Sequence, residues 1–359
     1  MFSSPAMIDE LYRYNLWANS KILSLCDGLT DAQLDQPREM GFGSLRNTVF
    51  HILAAEEVWV ERWKLVPWRP FPTDAGGLSL TEIGERLRAI DDVRRELIDQ
   101  ERASQWQRVV EYKDSKGNAY TNRLEGLLVH VANHGIHHRA QALSYLKQFG
   151  KTVPGGIDYI FFRFARPLLA QSAETQASLR QYGMDVGSRG GGVSVEWDHS
   201  AIARYFAYGD WANTKLLTLA KSLDDAALDR SHGMGMDTIR KTILHIQDAE
   251  RWWIKNWTTG PAQFEHSAAT TSVAEALENW QDISTSRNTI VNATDAEGAH
   301  RLVGAMIGPM MISVQVIESM MQLCGHGTHH RAQLVNMLRH SGITPPEVDY
   351  LYWLRENQI

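Results

Sequence analysis

The chain has 359 residues, of which 43% are hydrophobic and 22% charged, and it contains 12 tryptophans. This composition is typical of globular domains that bury a core, and it excludes intrinsic disorder. Thirty-six basic and forty-two acidic side chains give a formal net charge of −6, without the cluster of lysines and arginines that nucleic-acid binding requires. No segment has the roughly 20 apolar residues that cross a bilayer, and the N-terminus does not resemble a signal peptide. We therefore expect a cytoplasmic protein with neither a nucleic-acid nor a membrane partner.

Apolar residues at helical spacing predict four long helices in the first half of the chain. The first helix carries an apolar stripe that ends near Leu25. The second begins near Ser44, a good N-cap residue, and ends near Trp63 before two prolines. The third helix spans about residues 78–101, the fourth spans about residues 122–149, and a short helix is expected after Asp158.

A hairpin is predicted between the third and fourth helices, where RVVEYKDSKGNAY has alternating apolar residues around Asp-Ser-Lys-Gly-Asn. The second half has RLVGAMIGPMMIS at the corresponding place, so we expect this feature to differ between the halves. Strand signals are almost absent elsewhere, which predicts an all-α protein.

The second half of the chain repeats the first. YNLWANSKILSL at residues 14–25 and YGDWANTKLLTL at residues 208–219 share seven of twelve residues at an offset of 194. A period of this length matches a whole domain rather than a solenoid repeat. We expect two tandem four-helix bundles, a fold that builds metal sites from side chains on facing helices. The predicted domains are residues 1–182 and 198–359, joined by a glycine-rich linker at residues 183–197.

The strongest functional signal is a repeated cluster of histidines. HGIHHRAQ at residues 134–141 recurs as HGTHHRAQ at residues 326–333, and each follows a lone histidine on the predicted second helix. Histidines four residues apart on a helix point in nearly the same direction, and a third imidazole would complete a three-nitrogen face with open coordination positions. The predicted metal ligands are His51, His134 and His138 in the first half, and His245, His326 and His330 in the second.

Other assignments of the site residues remain open. A lone histidine is more often a hydrogen-bonded core residue than a ligand, and three-residue spacing makes His137 and His329 the alternative ligands. His130 has Gln322 as its counterpart, which favours a supporting or surface position. The repeated carboxylates nearest the second-helix histidine are those of Glu56 and Glu250. They are general-base candidates, but a separation of five residues turns them away from the histidine.

Several other repeated residues are expected to serve the fold. Arg139 and Arg331 are predicted to form structural ion pairs, whereas the roles of Gln141 and Gln333 stay open. The tryptophans of the first two helices are predicted to pack in the core. The two cysteines occupy non-equivalent positions of the repeat, so we expect them to be buried rather than to act in a duplicated site: Cys26 and Cys324.

YNLWAN in the first helix, a lone histidine in a tryptophan-rich second helix, and HxxxHR followed by glutamine together resemble the DinB/YfiT-like family. The resemblance covers nearly the whole chain, twice. It implies an up-up-down-down four-helix bundle with a divalent metal ion held by the three histidines of each half. Family members are often homodimers, so the fused pair would form an internal pseudo-dimer with pseudo-two-fold symmetry, and further homodimerisation stays open.

The resemblance implies several activities, because relatives include thiol-dependent S-transferases and isomerases, metal hydrolases, and proteins without known activity. Our leading hypothesis is metal-dependent transfer of a low-molecular-weight thiol, as cosubstrate, to an electrophilic small molecule. The alternatives are a hydrolase that uses metal-bound hydroxide and a non-enzymatic protein that binds a metal or a small molecule. Nitrogen donors with open positions suit zinc or nickel, and also iron, with one ion per domain.

Overall fold

The structure, a computed structural model, describes residues 5–104, 106–153, 156–169 and 198–357. The described chain separates into two compact units. Unit A holds the described residues from Pro5 to Leu169 together with those from Asp349 onward, and unit B holds those from residue 198 to Val348. The linker predicted at residues 183–197 lies outside the described residues, so the predicted domain boundary stays a prediction.

Unit A is a four-helix bundle with a hairpin and short helices. The helices α1, α3, α4 and α5 form the bundle, in which α1 and α3 each pack against both α4 and α5. α6 packs on α1, and α13, the last helix of the chain, packs on α5. Its elements are α1 Pro5–Leu25, α2 Asp31–Leu34, α3 Leu45–Trp63, α4 Leu80–Gln100, a 3-10 turn at Arg102–Ser104, β1 Val109–Lys113, β2 Ala119–Arg123, α5 Leu124–Gln148, α6 Tyr159–Leu169 and α13 Tyr350–Glu356.

Unit B repeats this architecture with α7, α9, α10 and α12 as its bundle. Here α7 and α9 each pack against both α10 and α12. The predicted all-α class with tandem helical bundles is confirmed. The elements of unit B are α7 His199–Ala220, α8 Asp225–Leu228, α9 Ile239–Thr258, α10 Val273–Ala293, α11 Ala296–His300, β3 Leu302–Ile307, β4 Met310–Gln315 and α12 Val316–His340.

Side-chain caps fix where the second bundle helix of each unit begins. The Ser44 hydroxyl accepts a hydrogen bond from the backbone N–H of Asn47, as the sequence predicts for an N-cap. Thr238 caps α9 in the same way, through the N–H of Lys241. Because the cap sets the first turn, it also sets which residues of the helix face the centre of the bundle two turns later.

Both units contain a hairpin, so the expectation that this feature differs between the halves is wrong. β3 and β4 pair antiparallel, with Ile307 opposite Met310 across a two-residue Gly308–Pro309 turn. The side chains of Val303 and Ala305 are buried, whereas Leu302, the first residue of β3, is 65% exposed. RLVGAMIGPMMIS therefore keeps the period-two burial of a strand despite its unusual glycines.

Each bundle also contains a buried ion pair that joins its second and third long helices. In unit A, the Arg94 guanidinium of α4 pairs with Glu56 of α3 and with Asp91 of its own helix. In unit B, Arg287 Nη1 lies 3.2 Å from Glu250 Oε1 and its Nη2 lies 2.6 Å from Asp210 Oδ2. The side chain of Arg94 is only 3% exposed, so water could not solvate the charge that remains if one partner were removed.

We expect Arg94→Met to destabilise unit A by about 3–5 kcal/mol, because the buried carboxylate of Glu56 loses its cation and Asp91 keeps only Arg95. Arg86→Met, which breaks an exposed pair with Glu57 in the same helix pair, should cost less than about 1 kcal/mol. Urea denaturation of both variants and of wild type measures the difference. Equal losses for the two variants would contradict the structural role of the buried pair.

Candidate metal centres

Three histidines meet in the interior of unit A. His51 comes from α3, and His134 and His138 come from successive turns of α5. The Nε2 atom of His134 lies 3.3 Å from His51 Nε2 and 3.0 Å from His138 Nε2. Tetrahedral zinc with Zn–N bonds of about 2.05 Å requires N···N separations of about 3.3 Å, and octahedral ions require slightly shorter ones. The three nitrogens are therefore spaced to hold one metal ion.

Unit B brings together the equivalent three histidines. His245 of α9 and His326 of α12 have their Nε2 atoms 3.1 Å apart. The ring of His330 lies 4.5 Å from that of His245 and 4.4 Å from that of His326, centroid to centroid. In each triad, one ligand atom per histidine lies within 4.8 Å of the others. The structure thus brings together all six predicted ligands, three in each unit.

Burial keeps four of the six triad histidines neutral. Burial lowers the pKa of His134 to about 3 and outweighs the opposing charge of Asp349. Burial and then the neighbouring histidines lower the pKa of His51, His138 and His326 well below the usual value. A neutral imidazole offers a lone pair to a metal ion, whereas a protonated one does not. The three histidines of unit A and His326 of unit B can therefore each offer a lone pair to a metal ion near neutral pH.

A glutamine one turn away selects the tautomer of the last histidine in each triad. His138 Nδ1 lies 2.8 Å from Gln141 Oε1, which can only accept, so Nδ1 carries the proton and Nε2 keeps its lone pair. The amide of Gln141 donates to His137 Nε2 at 3.2 Å. Gln141 is thus a supporting residue of the centre, a role that the sequence left open. His137 takes its place in this hydrogen-bond chain and is outside the converging triad.

Unit B repeats this chain of hydrogen bonds. His330 Nδ1 lies 2.8 Å from Gln333 Oε1, and the Gln333 amide donates to His329 Nε2 at 2.9 Å. Because the same hydrogen bonds occur in both units, Gln333 has the same supporting role as Gln141. Histidine metal ligands are usually oriented by a hydrogen bond to their second ring nitrogen.

A glycine packs against each of these glutamines, and neither glycine was predicted as part of the site. Gly41 has a φ of 54°, and a Cβ there would lie 2.8 Å from Thr48 Oγ1 and 3.2 Å from Gln141 Oε1. At Gly235, with a φ of 52°, a Cβ would lie 2.5 Å from Gln333 Oε1. Only glycine fits both the backbone conformation and the space. The repeated Met-Gly pair ahead of the second bundle helix was the available signal.

Aromatic rings line the triads. Phe42 stacks on His51 with ring centroids 3.6 Å apart, and Phe71 lies 5.1 Å from the same imidazole. In unit B, Phe264 lies 5.7 Å from His245. The position of Phe42 is taken by Met236 in the second repeat. Each centre therefore has an apolar wall, and that of unit A carries an additional aromatic ring.

The two general-base candidates lie elsewhere. Glu56 and Glu250 are held by Arg94 and Arg287 in the buried ion pairs, and neither belongs to a converging triad in the described residues. Burial is the largest influence on both carboxyl groups and raises their pKa. Their charges are committed to the helix packing, so they are not positioned to accept a proton at the triads.

The remaining predicted residues serve the fold. Arg139 donates to Asn15 and Asn19 of α1, which gives the repeated Trp-Ala-Asn a structural role. Arg331 donates likewise to Asn213 and Thr328. Both cysteines are buried as expected, Cys26 and Cys324.

His130 supports the centre of unit A from one turn before His134. Its ring lies 5.6 Å from that of His134, and its Nδ1 lies 2.7 Å from Asp349 Oδ1. Burial raises the pKa of Asp349, but the interactions with His130 outweigh burial and hold that pKa below its usual range. Asp349 also caps α13 by accepting from the N–H of Leu351. The end of the chain therefore places a carboxylate behind this centre.

Fold and site together define a tandem helical-bundle protein with a three-histidine centre in each bundle. The profile of the DinB family matches residues 1–174 and 197–358, so the chain belongs to that family and contains two copies of its domain. Protein DinB of Bacillus subtilis (strain 168) is 22% identical over 146 residues, which cover 39% of this chain and 85% of that relative. Within the described residues, no helix is both long and apolar enough to span a membrane.

We expect the metal-free protein to lose stability as the pH falls below about 6.5. Unfolded histidine binds a proton near that pH, whereas folded His134 does so only near pH 3, so the unfolded state binds more protons in between. The loss from His134 should reach about 1–2 kcal/mol at pH 5. Urea denaturation in chelator at pH 7.5 and pH 5 measures it.

His134→Ala should reduce this pH dependence, whereas His266→Ala, which removes an exposed histidine, should preserve it. An unchanged pH dependence in His134→Ala would show that the triad is not the source of the effect.

Proposed function

We propose that each unit binds one divalent metal ion through its histidine triad, and that the chain transfers a low-molecular-weight thiol to an electrophilic small molecule. The observation that supports this proposal is the convergence of three neutral imidazoles, with no carboxylate among them in the described residues. Three protein ligands leave coordination positions for a substrate. A bound divalent ion would supply a Lewis acid that deprotonates and orients a thiol.

The residues around the triad would support this chemistry in two ways. Gln141 and Gln333 hold the last histidine of each triad in the tautomer that presents Nε2. The rings of Phe42 and Phe71 exclude water on one side of His51 and offer an apolar surface to an electrophile. We infer that the electrophile has an apolar body that packs on these rings.

The fate of the proton favours thiol transfer over hydrolysis. Hydrolysis requires a group that accepts a proton from water, and the two repeated carboxylates are committed to buried arginines. A coordinating thiol is deprotonated outright by a divalent ion and needs no such base at the triad. The alternative of a metal-dependent hydrolase is supported in unit A by one observation, the His130–Asp349 pair beside His134.

The donor set is compatible with several metals. Three imidazole nitrogens suit zinc, nickel and ferrous iron, and the observed N···N separations of 3.0 to 3.3 Å fit tetrahedral as well as octahedral coordination. We propose zinc or nickel as the resident ion, with iron as the alternative.

We expect wild-type protein purified without a polyhistidine tag to contain about two metal ions per chain. His138→Ala and His330→Ala should each retain about one ion, because each removes one ligand from a different triad. Elemental analysis measures the content, with His266→Ala as the control that keeps both ions. Absence of stoichiometric metal from wild type would refute the metal-binding proposal.

Thiol transfer is tested on cobalt-substituted protein. Glutathione should produce a saturable change in the cobalt absorption spectrum, and the protein should then conjugate it to 1-chloro-2,4-dinitrobenzene. The double variant His138→Ala/His330→Ala should lose both signals. Hydrolysis of a generic ester that depends on the same histidines, without any response to thiols, would favour the hydrolase. Metal binding without either activity would leave a non-enzymatic metal-binding protein and overturn the catalytic proposal.

A further inference from the structure

Unit A contains a cavity away from the histidine triad. It lies between the loop that follows α3 and the β1–β2 hairpin, and its volume is about 490 Å³, within the range of small-molecule sites. Its lining combines flat rings, aliphatic side chains and two cations with one carboxylate, that of Glu111. The rings are those of Trp68, Tyr112 and Tyr120, and the cations are Arg62 and Lys113. This combination is typical of sites that hold an organic molecule and fix its orientation with a few polar groups.

The loop holds large apolar side chains in water at the rim of this cavity. Leu65 is 65% exposed, Val66 is 47% exposed and Trp68 is 46% exposed. Leu65 also has a φ of 57°, in the left-handed region that residues other than glycine rarely adopt. Neither an exposed apolar side chain nor a strained backbone stabilises the folded protein by itself. Their occurrence together is typical of a binding site.

Two arginines next to this cavity form no ion pair with any of the described residues. Arg62 donates through Nη2 to the carbonyl of Lys113 while its Nε has no hydrogen-bond partner. Arg355 donates through Nε to the Tyr112 hydroxyl while its Nη2 has none. In the part of the chain that the structure describes, no carboxylate lies within ion-pair distance of either guanidinium. Both face the ring of Tyr112 at 5.6 Å, and the charges of Asp114 and Glu61 act on Arg62 only from beyond ion-pair distance.

The electrostatics of Arg62 agree with this geometry. Burial, together with the charge of Arg355, lowers the pKa of Arg62 to about 10. An anion bound beside Arg62 would relieve both effects, because it would pair with the guanidinium and offset the repulsion between the two arginines.

The second repeat shows how the same place is closed. Asn256 stands at the position of Arg62, and its Oδ1 accepts a hydrogen bond from the N–H of Ala262, the residue that aligns with Trp68. Pro261 packs over the hairpin, where a Cβ on Gly304 would lie only 2.8 Å from its Cγ. Asn256 thus ties the loop to α9, and the loop covers the hairpin. The open cavity of unit A depends on residues that the repeats do not share.

We propose that this cavity of unit A is a second ligand site, which binds a small organic anion with a flat apolar body, such as an aromatic carboxylate or sulfonate. The guanidinium of Arg62 pairs with the acidic group, and Lys113 adds a second cation at the rim. Trp68, Tyr112 and Tyr120 contact the ring. Trp59 separates this site from the triad, with its ring 5.0 Å from Tyr112 and 5.1 Å from His130.

Calorimetric titration of the full chain with naphthalene-2-sulfonate tests the site, and naphthalene-2-sulfonamide serves as the neutral probe of nearly the same shape. The sulfonate should bind about once per chain and at least about tenfold more tightly than the sulfonamide. Arg62→Asn and Trp68→Ala, which introduce the residues of the second repeat, should each weaken binding of the sulfonate about tenfold.

Arg86→Asn is the matched control, since it removes an exposed arginine of unit A that pairs with Glu57 outside the cavity, and it should leave the affinity unchanged. Equal affinity for the two probes would overturn the anionic chemistry. Absence of binding, or binding that both Arg62→Asn and Trp68→Ala leave intact, would overturn the site. If Arg62→Asn fails to fold, the exposed Trp68 variant and the comparison of probes still decide the question.

Discussion

The packing of the second bundle helix against the last one is the constraint on which the centres depend. In unit A this is the contact of α3 with α5, and in unit B it is the contact of α9 with α12. Each pair encloses three imidazoles whose nitrogens approach to about 3 Å, an arrangement that would be repulsive if the rings were protonated. Burial resolves this conflict in unit A by keeping all three rings neutral, and it does the same for His326 in unit B. The neutral ring is also the state that binds a metal ion.

The buried ion pairs orient the histidine-bearing helices and also keep carboxylates away from the triads. Glu56 and Glu250 lie on the same helices as His51 and His245, one and a half turns further on. Arg94 and Arg287 draw these carboxylates towards the third bundle helix, which fixes the rotation of the histidine-bearing helix. The same contacts remove the carboxylates from the triads. The centres are left with nitrogen donors and apolar walls, which suits a substrate that brings its own nucleophile.

The two units keep the triads but differ in what surrounds them. Unit A places Phe42 against His51 where the second repeat has Met236, and it places His130 and Asp349 behind His134 where the second repeat has Gln322 at the histidine position. A duplicated chain can retain one function in both copies while the surroundings diverge, because the ligands and their glutamines are confined to a few helical turns. The differences concern shape and polarity near the centres rather than the donor atoms.

The sequence by itself determined the features that depend on neighbours along the chain. Helical periodicity, the Ser44 cap and the four-residue spacing of His134 and His138 follow from local geometry, so the bundles and two ligands in each half could be predicted from it. The internal repeat then indicated the third ligand of each half, His51 and His245. The hairpin of unit B was not predicted, because its glycines obscure the period-two pattern of burial in the sequence. Tertiary structure alone decided how His51 meets His134 across 83 residues, how Gly41 closes on Gln141, and that the end of the chain packs on α5. These contacts depend on the rotation and depth at which helices pack, and that packing is a property of whole side-chain layers rather than of any local spacing.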